Sequence, residues 1–431
     1  MVGVGGCTVH PEGEQEERHA ALEAGKPFQA PIDQRSPPTL PDNPTADDLV
    51  RYALLTNADL EKQYWEWRAA IEQIPQDGSQ ATNLAISSGT TISDGSLSRE
   101  RTTLSAVNDP MADIVLPEKL SVAAQRALAN AHAAGLRFQK EKFAVRKKVL
   151  DAYYDYALTA ELIRLEEANA ALLQTTVTAT EARNRAGAFG QQDVIKARNE
   201  LDLSRNDLAN LKSQLPSQLA MLNVLLNRGS TASLRPPAHL PMTQPISATD
   251  DQLLELAAKQ NPELKALASE IESKHGDIRL AKLQYTPDFS VSIGADLAGV
   301  AQSLSGMVTV PILRHEAIAA AVAQAEANLR AVEASRRQSR NDLAAQVVTD
   351  LTTFRDADRQ LDLFNSAILT RTRQIVELTR SAYETGQSSL LDLLEAQRSQ
   401  IAFERLSAKL TVTRNDAVAD LEQVTASRIV N

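Results

Sequence analysis

The stretch Tyr383-Glu384-Thr385-Gly386-Gln387-Ser388-Ser389-Leu390-Leu391-Asp392-Leu393-Leu394-Glu395-Ala396-Gln397-Arg398 sets one glycine between two long runs without a helix breaker. Residues 312–385 before it, and 387–431 after it, contain neither Gly nor Pro. Gly and Pro are the strongest local breakers, so the reading is a long helix, a turn at Gly386 and a second helix running back. The apolar spacing agrees. Val347, Phe354, Leu361, Ile368 and Ile375 are each seven apart, flanked by Leu351, Ala357, Phe364 and Leu378. That is the seam of a coiled coil. A helix over 313–382 would be on the order of 100 Å long. No globular domain of this size needs such a length, so the helix must line a bundle, a stalk or a tube.

Working outward, the same arrangement recurs about 200 residues earlier. Gly187, Asp193 and Ala197 have the mutual spacing of Gly386, Asp392 and Ala396. Residues 136–186 hold no Gly or Pro, and 191–228 hold only Pro216. Leu158, Leu162, Leu165 and Leu172 form a seam before the first turn, and Leu208, Leu211, Leu215, Leu222 and Leu226 form one after it. Upstream, Asp47-Asp48 through Asn57, Asp59 and Leu60 parallels Asp250-Asp251 through Asn261, Glu263 and Leu264, each opening a helix.

Between opening helix and long helix the pattern changes to period two. Phe289, Val291, Ile293 and Ala295 alternate with Ser290, Ser292, Gly294 and Asp296, and Leu304, Gly306, Val308 and Val310 alternate with Ser303, Ser305, Met307 and Thr309 before Pro311. This predicts an amphipathic β-hairpin, either covering a soluble core or facing lipid with its apolar side. A weaker hairpin, with Leu84 and Ile86 in one arm and Leu104 and Ala106 in the other, precedes Pro117. Proline clusters mark the remaining boundaries. The organisation is therefore a Pro-rich leader (1–45), a first repeat (46–228), a Pro-rich linker (229–249) and a second repeat (250–428). Each repeat is a helix, a β-hairpin and a long helical hairpin, giving a mainly α chain with β. Four strands cannot close a barrel, and lipid does not tolerate open strand edges. Three chains would supply twelve strands.

Composition removes other classes. A net charge of −10 leaves no surplus of Lys and Arg for a general nucleic-acid binder. One cysteine, Cys7, excludes an internal disulfide framework and a Cys-based zinc site. No apolar run approaches the ~18 residues of a membrane-spanning helix. The six histidines are scattered without ligand spacing, so no metal site is expected. No nucleophile elbow, phosphate-binding glycine loop or HExxH motif occurs, which predicts no catalytic residue and no enzyme. Trp65 and Trp67 read as packing or equatorial anchors.

With these features in place, the chain resembles the TolC-like outer-membrane efflux proteins. The resemblance is carried by Asn261-Pro262-Glu263-Leu264, by Thr309-Val310-Pro311-Ile312-Leu313, by the 383–398 turn and by its less complete counterpart from Gly187 to Arg198. Gly6-Cys7-Thr8-Val9 resembles the lipidated start common in that family. The resemblance implies a homotrimer, with a twelve-stranded β-barrel in the outer membrane above a long α-helical barrel in the periplasm. It implies a passive exit duct for small molecules, drugs or metal ions. The partners would be a periplasmic adaptor and an inner-membrane transporter of the RND type. No cofactor is expected beyond an acyl anchor on Cys7, which follows Val4-Gly5-Gly6 as in a lipobox. The turns at Gly187, Gly190, Gly386 and Ser389 would be the periplasmic tips where the adaptor docks. Asp193, Tyr383, Asp392 and Glu395 match positions near the closed aperture. A type I secretion duct is the alternative within this class. A periplasmic coiled-coil structural or adaptor protein is the alternative outside it.

Overall fold

The computed structural model describes residues 8–31, 34–35, 38–79, 84–93, 96–108, 115–187, 190–288, 290–296, 303–309 and 314–429. Cys7, Phe289 and the Val310-Pro311 strand end lie outside the described residues. The chain runs through α1 (Glu14–Ala24), α2 (Ala46–Thr56), α3 (Ala58–Asp77), β1 (Leu84–Ser93), β2 (Ser96–Asn108), α4 (Pro117–Arg185), α5 (Gln191–Leu225), α6 (Asp250–Gln260) and α7 (Pro262–Leu283). It continues through β3 (Ser290–Asp296), β4 (Ser303–Thr309), α8 (His315–Leu363), α9 (Leu369–Thr385) and α10 (Leu390–Thr425). β1 pairs antiparallel with β2 from Leu84↔Asn108 to Ser93↔Ser96, with a register shift between Thr90 and Ile92. β3 pairs antiparallel with β4 from Ser290↔Thr309 to Asp296↔Ser303.

The two halves carry the same terminal devices. Thr45 caps α2 and Thr249 caps α6, each in a reciprocal capping box with the third helical residue, Asp48 or Gln252. At the other end of these short helices, Asn57 Nδ2 donates to Leu225 O at 2.9 Å, and Asn261 Nδ2 donates to Val424 O at 3.0 Å. Each asparagine thereby ties the opening helix of its repeat to the last turn of the returning helix. Those returning helices end alike. Asn227 and Ala426, both just past the last turn, have φ of 51° and 49°, the left-handed conformation that closes a helix C-terminus.

The long helix between α8 and α9 departs from a simple heptad line. A single π-helical turn, Phe364–Ile368, interrupts the α-helical ladder. Such a turn inserts one residue and rotates everything beyond it. Before it, Val347, Phe354 and Leu361 are buried at heptad spacing, as the sequence predicts. Beyond it, the predicted Ile375 is 52% exposed and Leu378 71% exposed, whereas Val376 and Tyr383 are buried. The seam has moved by one residue. In α4 the buried heptad line is likewise Thr159, Glu166, Leu173 and Thr180, one residue after the predicted leucines, which are half-buried.

The chain folds as two compact units, each drawing on both halves of the sequence. The first comprises residues 1–26, 63–138 and 263–339 and contains both β-hairpins. Its packing centres on Trp67, stacked on Phe138 with ring centroids 5.6 Å apart, its Nε1 donating to Glu17 Oε1 at 2.6 Å. Gly135 makes room for it, since a Cβ there would fall 2.8 Å from the indole. Trp65 remains half exposed. The second unit comprises 27–62, 139–262 and 340–431 and contains both glycine turns.

Candidate functional site

The two turns lie in the second unit and are built by backbone first. Gly187 has φ of +74° and Gly386 φ of +83°. A side chain is strained in this region, so glycine is the residue that ends these helices without cost. At the second turn the amides of Gln387 and Ser388 both donate to Ala382 O, at 2.8 and 3.2 Å. Ser389 then caps α10. Its Oγ accepts from Asp392 N at 3.2 Å, while Asp392 Oδ2 accepts from Ser389 N at 3.0 Å, Ser389 Oγ at 2.7 Å and Ser388 Oγ at 3.1 Å. The Ser389 hydroxyl, its backbone N–H and the Ser388 hydroxyl hold the Asp392 carboxyl below the usual range. Asp392 thus stays anionic on the exposed first turn, as does a helix-dipole partner. At the first turn Gly190 caps α5 with no side-chain bond, and Asp193 is half-buried. Glu395 is exposed one turn beyond Asp392.

Tyr383 is placed differently from these carboxylates. It is 1% exposed and packs inside the chain against Leu173 and Val177 of α4, Ala197 and Leu201 of α5, and Leu390 and Leu394 of α10. Its hydroxyl lies 2.8 Å from Thr180 Oγ1. Thr180 Oγ1 donates to Thr176 O at 2.8 Å, so Tyr383 is the donor to Thr180. The Arg183 guanidinium sits 5.2 Å from the centroid of the tyrosine ring and donates to Tyr383 O. The ring therefore joins the two helical hairpins of one chain just above the turns. Tyr383→Phe removes a buried neutral hydrogen bond and is expected to cost about 1 kcal/mol. A thermal melt in detergent reads this as a fall of a few degrees, with faster proteolysis at the turns; an unchanged melt would mean that the hydroxyl contributes nothing.

Away from the tip, polar residues continue the seam. Gln397 is buried and donates to Thr176 Oγ1 at 3.0 Å. Glu166, 1% exposed, accepts from Ser204 Oγ at 2.5 Å and Asn169 Nδ2 at 3.0 Å, and pairs with Arg405. Arg398 Nε donates to Glu200 Oε2 at 3.0 Å, joining α10 to α5, and Arg198 binds Glu181 of α4 at 2.6 Å. The sequence reading passed over Thr180, Arg183, Glu166 and Gln397. The available signal was the run Thr175-Thr176-Val177-Thr178-Ala179-Thr180, β-branched and hydroxylated inside a long helix. Each of these threonines bonds back to a carbonyl one turn earlier.

The sequence matches the family described as Outer membrane efflux protein over residues 49–228 and 253–427. It is 25% identical over 285 residues to the cobalt-zinc-cadmium resistance protein CzcC of Cupriavidus metallidurans. That alignment covers 64% of this chain and spans 64% of the relative's length. The fold is similar to that of the outer membrane protein VceC of Vibrio cholerae, with a TM-score of 0.76 and 18% identity over 89% of this chain and 96% of that one. It is also similar to the MtrE outer membrane channel of Neisseria gonorrhoeae, with a TM-score of 0.74 and 16% identity over 98% and 99% of the two chains.

Proposed function

The chain belongs to the outer membrane efflux protein family, and from that premise we propose that it is the passive exit duct of a tripartite efflux pump. It resides in the outer membrane, in a family of channels rather than enzymes. The observation that carries the duct is the pair of two-stranded hairpins. Among the described residues no helix is long and apolar enough to cross a membrane. We take the strands as the membrane-crossing elements, and the open edges of one chain's strands require partners. Three chains give twelve strands, enough to close a barrel, with the long helices forming the periplasmic tube.

Exposed apolar side chains along the helices support the pooling of chains. Leu378, Ile375, Leu203 and Leu391 are each more than half exposed in the single chain, where a second copy would cover them. The leader adds a lipid contact. Thr8 bridges to Ser79, five residues before β1 begins, and Val9 N donates to Gly78 O at 2.9 Å. An acyl chain on Cys7 would supply that contact. The turns at Gly187 and Gly386 dock the adaptor, and an inner-membrane transporter supplies the energy. Cargo is a small molecule or metal ion; the name of CzcC favours divalent transition metals.

The test is the native mass of the detergent-extracted complex, followed by conductance in a planar bilayer. Three chains per particle are expected, with a conductance that stays small while the aperture is closed. A monomeric particle would overturn the duct.

A further inference from the structure

In the first unit, α4 and α7 enclose a cavity of about 430 Å³ that no residue assigned so far uses. Its polar lining is Gln125 and Arg126 of α4 with Glu272, His275, Arg279 and Lys282 of α7. Three of these are permanent cations and one is an acid. Arg126 is already committed, to Asp77 at 2.7 Å and Asp277 at 3.2 Å, yet its Nε is buried without a partner. Arg279 and Lys282 are exposed and make no ion pair with a described residue. The floor is a close helix crossing. A Cβ on Gly276 would fall 2.9 Å from Arg126 Cβ, so the glycine lets α7 approach and holds the cavity's shape.

The position of this pocket in the fold identifies its ligand. Lys282 is one residue from the end of α7, and β3 begins at Ser290. Lys119, in the first turn of α4, pairs with Asp288, two residues before β3, at 2.8 Å. Both walls of the cavity thus meet the strands at the same end. Arg279 and Lys282 lie within about 6 Å of helix rise from that junction. The headgroup layer on each side of a bilayer is roughly 5–8 Å deep, and long cationic side chains extend into it from helix ends.

We infer that this cavity binds the phosphate of an anionic phospholipid headgroup in the periplasm-facing leaflet. Arg279 and Lys282 provide the charge, His275 and Gln125 provide further donors, and the guanidinium of Arg126 adds fixed positive charge to the lining. A cavity of this volume is in the range that encloses a small ligand. Glu272 opposes the anion and sets the affinity below what the cations alone would give. The inference rests on the outer-membrane reading above, since only that reading puts the strand junction at a lipid surface.

Native mass spectrometry of the full chain, delipidated in detergent and titrated with phosphatidylglycerol or phosphatidylcholine, tests it. Wild type is expected to retain phosphatidylglycerol at about one per chain and phosphatidylcholine much less. The double substitution Arg279→Gln/Lys282→Gln is expected to weaken retention roughly tenfold or more. Glu272→Gln is expected to tighten it about two- to fivefold, a gain that damage to the fold would not produce. Equal retention of the two lipids, or no response to any of the three substitutions, would overturn the site. Inorganic phosphate bound as tightly as phosphatidylglycerol would overturn the lipid source and leave a free anion. The same spectra count chains, so a particle that is not a trimer defeats the duct, whereas a trimer without lipid preference defeats this site alone.

Discussion

Replacing Arg414 by Ala is expected to destabilise the second unit by about 2–4 kcal/mol and to release the Pro-rich linker. Arg414 is 1% exposed in α10. Its Nε donates to Asp358 Oδ1 at 2.6 Å, and its Nη1 donates to Thr243 O at 2.6 Å and Thr243 Oγ1 at 2.9 Å. The guanidinium lies over the Phe354 ring, 4.9 Å from its centroid. Truncation leaves a cavity, exposes nothing to replace the stacking, and strands the Thr243 carbonyl. Asp358 is 41% exposed, so water recovers part of its loss, which keeps the figure below that for a fully buried pair. The neighbour Asn415 holds the same linker. Thr243 N and Oγ1 each donate to Asn415 Oδ1 at 3.0 Å, and Asn415 Nδ2 donates to Pro241 O at 2.7 Å. Arg414→Lys keeps the charge but loses the fork and is expected to recover less than half of the stability. Melting temperature and limited proteolysis within 229–249 read both effects. Unchanged linker cleavage in Arg414→Ala would remove the clamp, and additive effects of Arg414→Ala and Asn415→Ala would mean that the two residues act separately.

This clamp also marks where sequence reading stops. The long helices and their glycine turns were legible because breaker content and apolar period are local properties. α4 ends two residues before Gly187, and α9 ends at Thr385, one residue before Gly386. Pro216 and Pro75 are carried inside helices α5 and α3, since packing overrides the lost hydrogen bond. The seam beyond residue 363 was not legible, because a π turn shifts the phase without altering composition. Ile375 and Leu378 look like core in the sequence and are exposed in the single chain. At the tip, Gly386, Ser389 and Asp392 follow from capping rules. Tyr383 does not, because its partners Thr180 and Arg183 are some 200 residues away and only the packed hairpins bring them together. Buried polar heptad positions such as Glu166 are invisible for the same reason: their partners, Ser204 and Arg405, come from two other helices.

Replacing Asp416 by Asn is expected to stabilise the second unit by about 2 kcal/mol at pH 8, about half of what the full shift would give because the site is partly solvated, and by almost nothing near pH 4. Asp416 lies on α10, facing Asp151 and Asp155 of α4, with Asp420 on its own helix and Lys147 as the cation. Asp350 of α8 shares this site through Asp420 and Lys147. Lys147 Nζ is 2.5 Å from Asp151 Oδ2 and 3.1 Å from Asp420 Oδ1, so the one ammonium is spent on two acids. Asp416 Oδ1, Asp350 Oδ2 and Asp151 Oδ1 are buried without a partner. Burial, and then the charges of Asp151 and Asp155, push Asp416 up to about 7; burial, and then Asp420, push Asp350 up to about 6. An aspartate in the unfolded chain titrates near 4. Between about pH 4 and about pH 7 the native state therefore binds a proton that the unfolded state has lost, and stability falls as pH rises through that window. Above about 7 the penalty is constant. Asparagine keeps the shape without the charge, so its advantage should grow with pH over the same window. Melting curves of wild type and variant at pH 5, 6.5 and 8 measure the difference. A gap that is the same at all three values would mean that the Asp416 charge does not oppose the packing of α4 and α10.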